Sequence, residues 1–128
     1  MKKTLIICRG LPGSGKTTFS KLIGKAICSA DDYFMHNGEY CWDKEKIYDA
    51  HAWCIKKCER FMKINALKII IANTNTTTKE MQPYIELANI YGYDIFTIIV
   101  ENRHKGKNIH DVPEETIEKM KNRFEIVL

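Results

Sequence analysis

The segment from Gly10 to Thr17 constrains this chain more than any other feature. It reads Gly-Leu-Pro-Gly-Ser-Gly-Lys-Thr and matches the pattern G-x-x-x-x-G-K-[ST] in full. Glycines let the backbone curl so that successive amide N–H groups point at one phosphate group. The Lys16 ammonium can reach the β- and γ-phosphate oxygens, and the Thr17 hydroxyl is the kind of hard oxygen ligand that Mg²⁺ prefers. We therefore expect this segment, the P-loop, to bind a nucleoside triphosphate with Mg²⁺.

The segments on either side of the P-loop have the context that such a loop requires. A β-rich run, Thr4–Arg9, precedes it, and Lys16–Lys25 follows it with apolar residues at helical spacing. A helix that begins near Lys16 adds the positive end of its dipole at the phosphate site. The residues expected to surround the phosphates are Gly10, Leu11, Pro12, Gly13, Ser14, Gly15, Lys16, Thr17 and Thr18.

Along the whole chain, short apolar runs alternate with amphipathic stretches, which is the pattern of βαβ units around a parallel sheet. The predicted strands are Thr4–Arg9, Ala26–Ser29, Leu67–Ala72 and Asp94–Val100, and the last two should be buried on both faces. The predicted helices are Lys16–Lys25, Asp43–Ile64, a helix that is capped by Thr78 and runs to about Tyr91, and a final helix that opens at Pro113. We therefore predict an α/β fold whose parallel sheet has about four strands, helices on both faces and a ligand cleft at the strands' carboxyl ends.

Composition sets broad limits. The 128 residues fit one domain, residues 1–128. No apolar run approaches the ~18 residues of a membrane span, and the N-terminal Met-Lys-Lys leads into a strand-like stretch, so we expect no membrane partner and a cytoplasmic location. The net charge of +4 decides nothing alone. The five cysteines lack the spacing of a disulfide framework, which predicts reduced, mostly buried thiols.

Two adjacent carboxylates follow the second predicted strand, in Ser29-Ala30-Asp31-Asp32-Tyr33-Phe34. A carboxylate that leaves the strand beside a P-loop is well placed to accept a proton from an acceptor hydroxyl. Adjacent residues leaving a strand point in opposite directions, so one aspartate can face the cleft while the other caps the next segment. The alternative is a pair of solvated turn aspartates.

The most basic stretch of the chain is Asn102–His110. Arg103, Lys105 and Lys107 follow the fourth predicted strand, where a lid over the triphosphate would lie and stabilise charge on the γ-phosphoryl group. A solvated basic loop is the alternative.

These motifs together resemble the polynucleotide-kinase-like P-loop family, which includes the phage-type polynucleotide 5′-kinases. They are still more similar to the AAA-type ATP-binding domain of animal ubiquitin-ligase-binding proteins. The resemblance covers nearly the whole chain and rests on Gly10–Thr18, Ser29–Phe34, Asn37–Tyr40, Ala50-His51, Asn73–Thr76, Tyr91–Tyr93 and Val112-Pro113. It implies a P-loop NTPase fold, with ATP or another nucleoside triphosphate and Mg²⁺ as cofactors.

The resemblance also implies roles for individual residues. Asp31 corresponds to the general base that activates the 5′-hydroxyl of a nucleic acid end, and Lys16 and Thr17 match the P-loop lysine and the magnesium-binding hydroxyl. Arg103 and Lys107 lie where the phage enzymes have two lid arginines that clamp the transferred phosphoryl group. Asp32, Tyr33, Phe34 and Asn75 fall on the acceptor side.

Three positions depart from the phage pattern. Phe34 replaces an arginine that holds an acceptor phosphate, and an aromatic ring can instead stack on a base. Lys107 replaces an arginine and loses its bidentate geometry. Asn73 stands in place of an aspartate after the third strand, where it can hold a magnesium-bound water but supplies no charge.

The function predicted on this basis is Mg²⁺-dependent transfer of the γ-phosphoryl group of ATP to a hydroxyl, favouring the 5′-hydroxyl of RNA or DNA. Two alternatives stay open. A small-molecule kinase would have a closed acceptor pocket near Asp31, and a non-catalytic nucleotide-binding module would bind tightly without turnover.

Overall fold

A computed structural model of the chain describes residues 2–107 and 110–128. Its strands are β1 (Thr4–Arg9), β2 (Ala26–Cys28), β3 (Met35–His36), β4 (Glu39–Tyr40), β5 (Lys68–Ala72) and β6 (Asp94–Ile99). Its α-helices are α1 (Lys16–Ile23), α2 (Ile47–Lys63), α3 (Thr78–Tyr91) and α4 (Glu114–Arg123). Two short 3-10 helices span Ala30–Phe34 and Lys44–Lys46.

The main sheet has four strands in the order β2-β5-β1-β6, and all of its pairings are parallel. In the middle of the sheet Ile7 lies between Ile71 of β5 and Thr97 of β6. Because the strands are parallel, their carboxyl ends meet at one edge, and the P-loop and the Asp31 segment both leave the sheet there. The predicted α/β fold with a four-stranded parallel sheet is confirmed.

Helices cover both faces of this sheet. On one face Ile69 and Ile71 join a buried cluster with Cys58 of α2 and Ala88 of α3. On the other face Ile70 lies against Gly24 at the end of α1. Side chains alternate between the faces of a strand, so the apolar run of β5 serves both layers.

The prediction that Asp94–Val100 is buried on both faces is wrong. β6 is an edge strand whose strand neighbour is β1, and Phe96 on it is 57% exposed. Asp94, Thr97 and Ile99 are exposed as well. An apolar run indicates a strand, but its place in the sheet depends on strand order, which composition does not specify.

Two helix starts differ slightly from the sequence prediction. α2 begins at Ile47, because Asp43 instead caps the 3-10 helix before it by accepting a hydrogen bond from the Glu45 amide at 3.0 Å. The cap of α3 is Thr77, whose hydroxyl accepts from the Glu80 amide at 3.2 Å. These shifts are typical of helix ends.

A small antiparallel hairpin, β3–β4, follows the Asp31 segment and was not predicted. Its turn residues Asn37 and Gly38 have φ values of 51° and 82°, which suit a two-residue hairpin turn. Because Met35 pairs with Tyr40, the chain turns back toward the 3-10 helix Ala30–Phe34. The hairpin therefore brings Tyr40 back beside Asp31.

The buried Arg9 at the end of β1 holds the C-terminal segment in place. Its guanidinium donates to the carbonyls of Asn75 at 2.8 Å, Thr76 at 3.2 Å and Glu125 at 2.6 Å. It also lies 4.8 Å from the centre of the Phe124 ring. One side chain thus connects β1, the segment after β5 and the residues after α4.

The five cysteines are all free, and only Cys41 is exposed, as the sequence predicted. Among residues 2–107 and 110–128, no helix combines the length and apolar character needed to cross a membrane.

Candidate active site

The P-loop connects β1 to α1 in a conformation that requires its glycines. Gly13 and Gly15 have φ values of 83° and 96°, in the left-handed region that other residues rarely adopt. A Cβ atom on Gly10 would lie 2.8 Å from the Val100 carbonyl oxygen, so close backbone approach excludes a side chain there. The loop ends directly in the first turn of α1, whose dipole favours an anion.

Lys16 is the P-loop group whose ionisation the fold changes most. Its Nζ donates a hydrogen bond to the Leu11 carbonyl at 3.1 Å across the loop. Burial lowers the pKa of Lys16 from 10.5 to about 8, against the opposing effects of Asp31 and Cys8. Lys16 is therefore a poorly hydrated cation that gains from a nearby anion.

The buried Ser14 hydroxyl shows whether the loop is suited to a phosphate ligand. Its side chain is 2% exposed, and its Oγ has no hydrogen-bond partner among the described residues. A buried polar atom without a partner costs roughly 1–3 kcal/mol, a penalty that a ligand oxygen in the loop would relieve. The loop thus presents an unsatisfied hydroxyl beside its lysine.

Thr17 and Thr18 are exposed in the first turn of α1, where a ligand can reach them. Within the described ranges no group of three or more His, Cys, Asp and Glu residues could hold a metal ion. At phosphate sites Mg²⁺ usually keeps several waters and binds phosphate oxygens, so the Thr17 hydroxyl would be one of few protein ligands.

A cavity of about 220 Å³ lies beside the P-loop and α1. It is lined by Ser14, Gly15, Thr18, Phe19, Leu22, Val100 and His104. The basic segment packs directly on the loop here, because a Cβ atom on Gly106 would lie 2.8 Å from the Gly13 carbonyl oxygen.

Of the two adjacent aspartates, Asp31 is the one whose charge acts on the P-loop lysine. Asp31 is half-exposed, and its charge raises the pKa of Lys16. The charge of Asp32 instead acts on Cys28 in β2. The expectation that the two side chains point in opposite directions stays a prediction.

Two side chains contact the Asp31 carboxylate. The Tyr40 hydroxyl donates to Oδ1 at 3.3 Å, and His110 Nε2 lies 3.6 Å from Oδ2. Burial raises the pKa of Tyr40, and the neighbouring Asp31 raises it further. The phenol therefore stays protonated and donates. Sequence reasoning missed both side chains, although Asn37-Gly38 is a strong hairpin signal that would have placed Tyr40.

Asn73 supports Asp31 through the backbone. Its Oδ1 accepts a hydrogen bond from the Ala30 amide at 2.9 Å, and its Nδ2 donates to the Tyr84 hydroxyl at 3.4 Å. The side chain is buried and thereby fixes the start of the 3-10 helix that carries Asp31. Its predicted hold on a magnesium-bound water stays a prediction.

Asn75 does not face the groove described below. It is 3% exposed and has a φ of 43°. Its Nδ2 donates to the Asn73 carbonyl at 3.5 Å, and its own carbonyl accepts from Arg9. These contacts hold Asn75 in the segment after β5, where it connects Asn73 with Arg9.

The hypothesis that Phe34 stacks on a base is wrong for this structure. Phe34 is 3% exposed, and its ring packs edge-on against Tyr33 and Tyr40 with centroids 5.5 and 6.1 Å apart. Phe34 is a large apolar side chain on a 3-10 helix that contacts α2, and it joins the buried core cluster. Trp42, which is 52% exposed, is an accessible aromatic side chain nearby.

An open groove of about 690 Å³ begins at this point. It is lined by Tyr33, Phe34, His36, Cys41, Trp42, Asp43, Lys44 and Lys46. We call it the hairpin groove, because β3, β4 and the segment after them form most of its walls.

The two predicted lid cations, Arg103 and Lys107, are both exposed to solvent. Arg103 pairs with Glu101 at 2.6 Å and its side chain is 86% exposed. Lys107 is exposed too. Both roles stay predictions, and Asn108 and Ile109 of the predicted lid lie outside the described residues.

Comparison with known proteins identifies the family to which the sequence is related. Residues 5–127 match the family described as AAA domain. The chain is 32% identical over 133 residues to NEDD4-binding protein 2 of Homo sapiens, in an alignment that covers 94% of this chain and 8% of that protein. The chain therefore spans less than a tenth of that relative's length.

Solved structures show the same fold at low sequence identity. One protein of a Pnkp1/Rnl/Hen1 complex matches with a TM-score of 0.61 and 22% identity, covering 92% of this chain and 38% of that one. Kti12 of Chaetomium thermophilum, in complex with ADP-AlF3, matches with a TM-score of 0.58 and 17% identity over 95% of this chain and 80% of that one. By its matched sequence, the chain belongs to the AAA domain family.

Proposed function

We propose that this protein transfers the γ-phosphoryl group of ATP to the 5′-hydroxyl of a nucleic acid, with Mg²⁺. The observation that carries the proposal is the half-exposed Asp31 carboxylate, which follows β2 at the same edge of the sheet where the P-loop follows β1. Its charge acts on Lys16 and opposes the lowering of the Lys16 pKa. A solvent-accessible carboxylate beside a triphosphate site is the arrangement that a kinase needs to deprotonate its acceptor.

The P-loop residues bind the donor. The loop amides bind phosphate oxygens, and so does the Ser14 hydroxyl, which has no partner among the described residues. The partly buried Lys16 ammonium pairs with the negative charge of the phosphates. Mg²⁺ on Thr17, when bound, neutralises charge on the phosphates. The cavity beside Thr18, Val100 and His104 has room for a nucleobase. Binding of a nucleotide analogue by Kti12 on the same fold supports this assignment.

In the reaction, the acceptor hydroxyl oxygen attacks the γ-phosphorus while its proton moves to the Asp31 carboxylate. The bond from the γ-phosphorus to the bridging oxygen breaks, and ADP leaves with that electron pair. A correctly placed general base contributes about 10²–10⁴-fold to such a step.

The hairpin groove favours a nucleic acid acceptor over a small molecule. It is open to solvent and combines the aromatic side chains Tyr33 and Trp42 with the cations Lys44 and Lys46. Single strands bind in such grooves by stacking bases on aromatic rings and pairing phosphates with cations. A small-molecule acceptor would instead call for a closed pocket near Asp31.

The test uses γ-labelled ATP, Mg²⁺ and a single-stranded oligonucleotide with a 5′-hydroxyl. Label should appear on this oligonucleotide and not on the same strand carrying a 5′-phosphate. Lys16→Ala should abolish the transfer by removing the donor site, and Asp31→Asn should lower it while leaving ATP binding intact.

Saturable ATP binding without any labelled oligonucleotide would contradict the proposal. Label on a nucleoside or sugar under the same conditions would then identify a small-molecule kinase. Absence of label on every acceptor would identify a binding module.

A further inference from the structure

The Asp31 carboxylate is held from two sides by groups that no P-loop motif includes. Tyr40 reaches it from β4, with its hydroxyl 3.3 Å from Oδ1. His110 reaches it from the segment before α4, with Nε2 3.6 Å from Oδ2. Each carboxylate oxygen therefore has its own neighbour.

The two neighbours also contact each other. The imidazole of His110 stacks on the Tyr40 ring with centroids 4.1 Å apart and planes at 27°. This stacking fixes the plane of the imidazole, and His110 is only 29% exposed. The histidine is thus packed in place and is not a freely moving surface group.

Such a contact matters because Asp31 lies on a 3-10 helix with five residues, and its side chain is 53% exposed. An exposed aspartate samples several rotamers, whereas a general base must point at one proton. A misplacement of about 1 Å at such a site can reduce the rate about 10²-fold.

We propose that His110 is a positioning residue that, together with Tyr40, orients the Asp31 carboxylate toward the acceptor hydroxyl. This inference rests on the proposed function of Asp31 as the base. On the P-loop side, the charge of Asp31 acts on Lys16. On the side of the carboxylate that faces the segment before α4, the neighbouring side chain is His110.

The kinetic test compares His110→Ala with His110→Gln. Alanine should lower kcat about 10–100-fold with little change in the KM for ATP, because only the base is displaced. Glutamine keeps an N–H donor and should recover most of the loss. In an Asp31→Asn background His110→Ala should have no further effect, since residues that act through one group are not additive. His51→Ala, on the exposed side of α2, is the matched control and should leave kcat unchanged.

A second measurement does not depend on activity. In ¹H–¹⁵N spectra of the imidazoles, assigned through the signal that His110→Gln removes, Asp31→Asn should shift the His110 signal and leave that of His51 in place. An unmoved His110 signal would overturn the inference. If the wild-type protein is active and His110→Ala has the same kcat, the inference is also overturned. A shifted signal in a protein that phosphorylates no oligonucleotide would support the contact and contradict the proposed function instead.

Discussion

At the scale of single residues, the site depends on groups that the fold keeps away from water. Lys16 is partly buried and its pKa falls to about 8, even though Asp31 and Cys8 oppose that change. Ser14 has a buried hydroxyl without a partner in the described part of the chain. Both groups are less stable in the empty loop than they would be beside a phosphate, so the fold prepares the loop for an anion.

The lowered pKa of Lys16 predicts proton uptake on ATP binding. As the pH rises through about 8, the empty loop loses the Lys16 proton, whereas bound triphosphate favours the charged form. The Kd for ATP should therefore rise with pH across this range, and binding should take up a proton. Calorimetry in buffers of different ionisation enthalpy measures the uptake. Lys21→Ala, on the exposed side of α1, should retain it. A flat Kd with no uptake would contradict the account.

Asn73 predicts a measurable contribution to stability. Asn73→Ala leaves the buried Ala30 amide without its acceptor and should lower the free energy of unfolding by about 1–3 kcal/mol. Denaturant unfolding measures this change. Asn89→Ala, on the exposed face of α3, should change it by less than about 0.5 kcal/mol. Equal effects of the two variants would show that the Asn73 contacts do not stabilise the domain.

At the scale of elements, short segments outside the main sheet shape the acceptor side. The β3–β4 hairpin supplies Tyr40, and the 3-10 helix Ala30–Phe34 supplies Asp31. The Cys41 amide donates to the Phe34 carbonyl at 2.7 Å and thereby ties the two segments together. The sheet thus fixes the donor site, while these segments form the hairpin groove.

The hairpin groove predicts a change in acceptor binding alone. Trp42→Ala should raise the KM for an oligonucleotide about tenfold, because stacking on an aromatic ring contributes about 1–3 kcal/mol per base. Lys44→Ala combined with Lys46→Ala should also raise this KM and reduce its salt dependence. The KM for ATP should not change.

Steady-state kinetics against acceptor concentration measures these effects. Lys63→Ala at the exposed end of α2 is the control for removing a positive charge. If that control raised the acceptor KM as much as the groove variants, general charge and not the groove would explain the binding.

At the scale of the whole molecule, the sequence predicted the architecture better than the site. Glycine spacing and apolar runs identified the P-loop and all four strands of the main sheet, because those patterns are local. The contact of His110 with Asp31 spans 79 positions of sequence in a loop without a periodic pattern, so no local rule could find it. The exposure of β6 likewise depends on strand order.

Comparison of Asp31→Asn with Asp32→Asn in the transfer of γ-phosphate to a 5′-hydroxyl oligonucleotide tests the assignment of Asp31 as the general base. The two neighbours have the same chemistry, but Tyr40 and His110 contact the carboxylate of Asp31, whose charge acts on Lys16. Asp31→Asn should lower kcat about 10²–10⁴-fold with the Kd for ATP unchanged, and Asp32→Asn should lower kcat by less than about tenfold. Equal losses in the two variants, or an Asp31→Asn protein with the wild-type kcat, would contradict the assignment of Asp31 as the base.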